Sequence, residues 1–141
     1  MYKQSGFTVI ELIFVVVVLG LASVIFFMQK NNIEVTYRDD QRKTAINAMY
    51  YGLEEIYYKQ NKSYPRTLSE ETLPFIDPEL FVDPNGIKLG QTTATIDDEE
   101  HPVQSDYSYE GTNCAEDSCK SYKLRATLEQ EDDFSRSSRN K

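Results

Sequence analysis

The chain has 141 residues, 15 Lys plus Arg, 23 Asp plus Glu, one His, two Cys, no Trp and a formal net charge of -8, which leaves room for one ordinary domain. The negative balance, with no run of Lys or Arg, opposes close approach to polyphosphate backbones and argues against direct binding of DNA or RNA. Six Gly and five Pro are too few for a low-complexity fibre, and no internal repeat is visible, so any polymer must form by packing of subunits.

The charges are unevenly placed. Residues 7–28, FTVIELIFVVVVLGLASVIFFM, contain only Glu11, whereas charges are dense from residue 29 onward. At about 1.5 Å per residue this stretch forms a helix roughly 33 Å long, enough to cross a hydrocarbon core. The four consecutive valines at 15–18 are mediocre helix formers in water, but in lipid only a helix satisfies the backbone internally. A buried core helix would show a polar face, and a removed secretory signal would end in small residues. Here Phe26, Phe27, Met28 and Gln29 follow instead, so the span is retained.

Glu11 is the odd residue. A carboxylate inside an apolar span costs about 2.5–3.5 kcal/mol unless it finds a partner, and no Lys or Arg lies between Lys3 and Lys30. A cut after Gly6 would expose a new amine on Phe7 at the same depth, about one turn from Glu11 in its own helix. In a neighbouring helix shifted along the axis, that amine could sit directly opposite.

Ser5-Gly6-Phe7-Thr8-Val9-Ile10-Glu11-Leu12, behind a six-residue leader carrying Lys3, closely resembles the prepilin-type processing and methylation motif of type IV pilins and pseudopilins. The resemblance implies that a membrane prepilin peptidase cleaves between Gly6 and Phe7 and methylates the Phe7 amine, and that Glu11 docks the subunit into a growing filament. Cleavage would remove Lys3 and leave the mature chain one charge more negative. Gly20 falls where many pilins carry a helix-weakening Gly. The Pro often found about eight residues further on is replaced by Met28, so Gly20 reads equally as a close helix crossing.

Helical spacing continues through about Gln60, with Ile46, Met49, Tyr50, Leu53, Ile56 and Tyr57 on one stripe that needs a covering sheet. Tyr51 and Tyr58 lie on another side, as subunit contacts or as the edge of the same core. Asn61-Lys62-Ser63-Tyr64-Pro65 ends the helix, and Tyr64-Pro65-Arg66-Thr67-Leu68 resembles an element that follows the long helix in pseudopilins and related pilins. Thr67 with Glu70, or Ser69 with Thr72, is positioned to cap a short helix before Pro74. The chain then turns repeatedly, with Asp83-Pro84-Asn85-Gly86 the best turn signal and an acidic run at 97–100. Strands are expected at 103–110 and 122–128, and the last stretch reads as a flexible polar tail.

The expected division is a leader at 1–6, a transmembrane or filament-core helix at 7–28, its amphipathic continuation at 29–60, a variable connection at 61–102, a β-hairpin at 103–128 and the tail at 129–141. The expected fold class is α+β: a long N-terminal helix on a small antiparallel sheet, the lollipop shape of pilins.

In an exported domain, Cys114 and Cys119 read as a short-loop disulfide tying the last hairpin. A metal at these thiols would want further ligands, and His101 is at no recognised spacing. The acidic run, with Asp83 or Asp117 as helpers, offers hard oxygens that calcium would accept, although most such runs are solvated loops. No nucleophile with a base and no phosphate-cradling loop can be assembled, so no cofactor and no catalysis are expected.

The expected function is a structural subunit of a type IV pilus-like surface filament. It would start as a single-pass precursor in lipid of the cytoplasmic membrane and end outside the cell. The expected partners are copies of itself or other pilins, the prepilin peptidase and a membrane assembly platform. One alternative is a pseudopilin or minor pilin of a secretion or competence machine, and a second is a membrane-anchored binding domain that never polymerises.

Overall fold

The computed structural model describes residues 8–140. Helix α1 spans Val9–Tyr51 and runs on through a π-helical turn, Gly52–Tyr57, into α2, Tyr58–Asn61. It stops where the composition predicts: Lys62 adopts the left-handed conformation, φ 56°, and its N–H closes on the Tyr58 carbonyl at 2.8 Å, an αL cap that satisfies a terminal carbonyl. The chain divides into two units, one ending at Val35 and the other starting at Thr36.

In the first unit the helix holds an 18-residue window of mean hydropathy 2.9, none of it buried. A core helix of a water-soluble domain would be covered on one face, so this stretch awaits an apolar surround.

In the second unit the helix packs on a four-stranded antiparallel sheet. Strand β1 is Tyr64–Pro65, β2 Thr93–Ile96, β3 Glu99–Pro102, β4 Tyr107–Ala115, β5 Ser118–Ala126 and β6 Phe134–Ser137. β5 is central: β4 runs along one side, while β1 pairs with its start and β6 with its end. β2 and β3 form a separate hairpin. The layout is α+β, and its core is built by Ile46, Met49 and Leu53 of the helix, Tyr64, Leu73 and Phe81 of the connection, and Tyr122, Leu124 and Ala126 of β5.

Four local features depart from the sequence expectation. Ile56 of the expected stripe is 37% exposed, whereas Glu54 is 4% exposed. A π turn takes in more residues than an α turn, so the phase drifts beyond Leu53, turning Ile56 outward and Glu54 inward. Tyr51 and Tyr58 separate: Tyr51 stays exposed, while Tyr58 packs against the core and stacks on Tyr64 with ring centroids 5.0 Å apart. Residues 69–73 form a hydrogen-bonded turn rather than a capped helix, with the Ser69 N–H donating to Thr72 Oγ1 at 2.9 Å. Finally, 3-10 residues Pro78–Phe81 begin at Asp77, whose side chain accepts from the Glu79 N–H.

The two hairpin strands also lie closer together in the chain than the alternation suggests. They extend through the polar run at 111–121 and leave only Glu116 and Asp117 as the turn, Glu116 at φ 55°. Cys114 and Cys119 are therefore register partners across β4 and β5, and they form a disulfide. Gly111 makes room for it, because a Cβ there would lie 2.7 Å from Cys119 Sγ. The acidic run is a turn and a strand start: Asp97 and Asp98 both have positive φ, as a two-residue hairpin turn requires. The tail is not free, since Phe134–Ser137 form β6 on β5.

Candidate assembly site

The first unit presents one chemistry. Every side chain from Val9 to Met28 along α1 is exposed, among them Val9 at 76%, Phe14 at 68% and Phe27 at 66%. Burying such side chains is worth about 1.5–3 kcal/mol each, so a helix of this kind is driven into lipid or against other helices. Gly20 interrupts neither the helix nor any contact: α1 passes through it, and a Cβ there would meet nothing within 4 Å. That open surface leaves both expected uses of Gly20 available.

Gly6 and Phe7, the expected processing site, lie outside the described residues. Glu11 stands in the first turn of α1 and is exposed. Its carboxylate accepts from the Thr8 N–H at 3.4 Å, and its own N–H donates to Thr8 Oγ1 at 3.4 Å. This reciprocal pair is a capping box, which partly satisfies the open end of the helix. Both bonds are long, so the carboxylate is held loosely. The pattern Thr-x-x-Glu was readable in the sequence and is the signal that a reading centred on charge alone passes over.

The second unit holds two buried polar clusters that composition does not reveal. In the first, the Arg42 guanidinium, 1% exposed, donates to Asp39 Oδ1, Asp106 Oδ2 and Glu129 Oε1, each at 2.8 Å. Arg38 clasps Glu129 with two bonds of 2.7 and 2.6 Å. Asp39 also accepts from the Glu129 and Gln130 N–H groups, so the segment after β5 is pinned to the helix. Burial pushes the Asp39 carboxyl up and the Arg42 guanidinium down. For Asp39 the two backbone donors and Arg42 outweigh burial and hold it below its usual range, and for Arg42 the three carboxylates hold it above. Arg38, then Arg42, draw the Glu129 carboxyl down to about 2.

A group depressed in the folded state stabilises it above the unfolded pKa and loses that contribution as pH falls. An unfolded Glu titrates near about 4.3, so melting temperatures of the detergent-solubilised chain should be flat above about pH 5 and fall between about pH 4.5 and 2. Replacing Glu129 by Gln should lower the plateau and flatten that part of the profile; an unchanged slope would mean that Glu129 does not carry it.

The second cluster surrounds Glu54. Its carboxylate accepts from the Tyr64 hydroxyl at 3.1 Å, the Tyr122 hydroxyl at 3.0 Å and the Arg139 N–H at 3.1 Å. Burial, then Glu54 itself, pushes the Tyr122 hydroxyl well above the usual tyrosine range, so it remains a donor. The Arg139 side chain reaches Tyr50 Oη and Glu55. Together the clusters fasten the end of the chain to residues 38–55 of the helix.

The remaining candidates do not converge. Asp83 spends its carboxylate on the loop, accepting from the Asn85, Ile87 and Asp106 N–H groups and the Ser105 hydroxyl. Asp97 and Asp98 form the β2–β3 turn, and Asp117 lies in the β4–β5 turn. Among the described residues, no three His, Cys, Asp or Glu side chains gather into a possible metal site.

Residues 1–27 match the family model described as the prokaryotic N-terminal methylation motif. No curated protein and no solved structure matches the chain.

Proposed function

We propose that this chain, whose N terminus carries the signature shared by type IV pilins and pseudopilins, is a structural subunit of a type IV pilus-like surface filament. The observation that carries the reading is the pairing of that signature with a wholly exposed apolar helix marked by one carboxylate. In this reading the chain is a single-pass precursor until the peptidase cuts between Gly6 and Phe7. The freed helix then leaves lipid for a bundle of like helices, so its apolar surface stays out of water throughout.

Glu11 supplies the register. Among the described residues its carboxylate has only the loose Thr8 cap, and it pairs with the methylated Phe7 amine of a neighbouring copy, which removes an unpaired charge from the dry bundle. The heads are displayed outward, and their role is structural. A pseudopilin shares the processing signal, and copy number separates the two. Shearing cells and quantifying the released protein should return this chain as the dominant filament component; trace amounts in a sheared fraction dominated by another pilin would assign it to the pseudopilin or minor-pilin class.

A further inference from the structure

The head carries a groove of about 600 Å³ beside the first turns of its helix. Tyr37, Ala45, Leu80, Val82 and Tyr107 supply apolar lining, and Tyr37, 64% exposed, is open to contact. Asp40, Asp77 and Glu79 stand around it, all exposed. Among the described residues, none of these three carboxylates is joined to a cation by a salt bridge, although eight other acidic side chains are. An apolar floor with an unpaired acidic rim suits a side chain with an apolar stem and a positive tip.

Such side chains stand at the other end of the same head. Lys62 caps the helix, and because Tyr64 pairs with Cys119, Lys120 flanks the same corner. Both are exposed, and among the described residues neither lies in a salt bridge. Glu116 and Asp117 share that corner, where Arg66 donates to the Glu116 carbonyl. From Asp40 to Lys62 the helix advances about 30 Å, so one head cannot close the contact on itself. A contact between opposite ends of identical subunits is heterologous and propagates instead of closing.

We propose that this groove receives the Lys62 and Lys120 corner of a second copy, forming an axial contact between heads. The proposal rests on the filament reading for its setting. The test coexpresses full-length Glu79→Cys and Lys62→Cys chains, oxidises intact cells and probes both the sheared and the envelope fractions for the mixed dimer. The native cysteines are already bonded to each other. In parallel, Asp40→Lys with Glu79→Lys, and separately Lys62→Glu with Lys120→Glu, should each cut sheared filament at least tenfold, and the four changes together should restore it.

Filaments containing the chain without the mixed dimer, with the reversals silent, would overturn the groove contact and leave the filament reading intact. A mixed dimer in the envelope with no chain in sheared material would uphold the contact and overturn the filament reading. Absence of both would overturn both. Cross-linking of Glu79→Cys only to a different protein would overturn the second copy as occupant.

Discussion

Replacing Glu11 by Ala should not impair membrane insertion or cleavage and should reduce incorporation into filaments by two to nearly four orders of magnitude. Among the described residues the Glu11 carboxylate makes one long bond, from the Thr8 N–H, and losing it costs at most about 1 kcal/mol. Insertion itself should improve slightly, since a carboxylate is expensive in lipid. The large effect arises between subunits. In the proposed assembly, loss of the carboxylate would leave the Phe7 amine of a neighbour unpaired in a dry bundle, at a cost of about 3–5 kcal/mol per added subunit. That is a factor of about 10² to nearly 10⁴ in the association constant. Quantifying the chain in membrane and sheared fractions separates these effects; filament at the wild-type level would remove Glu11 from assembly.

The second large effect belongs to Arg42, which sits almost without solvent contact among Asp39, Asp106 and Glu129. Arg42→Ala leaves Asp39 buried and two further carboxylates without their shared cation. Breaking a buried pair by removing one partner costs about 3–5 kcal/mol. Because Asp106 and Glu129 keep 26% and 34% of their side chains exposed, the expected loss lies near the lower end, about 3 kcal/mol. Denaturant unfolding of the detergent-solubilised chain measures it. Arg42→Met combined with Asp39→Asn and Asp106→Asn should recover much of the loss, since it removes two of the three negative charges along with the cation and leaves Glu129 paired with Arg38. A loss below about 1 kcal/mol for Arg42→Ala would show that the cluster is solvated rather than structural.

What could be read in advance follows from the range of the interactions. The long helix was legible because the apolar run and the spacing of Ile46, Met49 and Leu53 are local signals, and its end at Lys62 follows from Asn61-Lys62-Ser63. The exchange of Ile56 for Glu54 was not, because nothing in Gly-Leu-Glu-Glu-Ile-Tyr announces a π turn. The turn lies against a tertiary contact: a Cβ on Gly52 would lie 2.6 Å from Ile76 Cδ1, so the loop at Phe75 and Ile76 packs closely on it and a larger residue would make the Ile76 side chain shift. Strand residues 118–121 are polar apart from Cys119, yet the pairing of Ser118 and Cys119 with both β1 and β4 makes the start of β5 strand. β6 offers one apolar residue, Phe134, and owes its place to β5 and to contacts such as Arg136 with Asn47.

The same division holds for the site. Glu11 stood out as one charge in an apolar span, and Thr8 was within reach of the same argument. The Arg42 cluster joins residues about ninety positions apart, where no spacing rule operates, so only folding reveals it.

The central claim is that Glu11 meets the processed end of a neighbouring copy. Its most direct measurement is zero-length carbodiimide cross-linking of filaments assembled from equal parts of isotopically light and heavy chain, followed by peptide mass spectrometry. The account predicts a mixed-label peptide joining the Glu11 carboxylate to the methylated Phe7 amine, with no chain beginning at Met1. Filaments whose chains still begin at Met1, or in which Glu11 is never joined to a second copy, would contradict it.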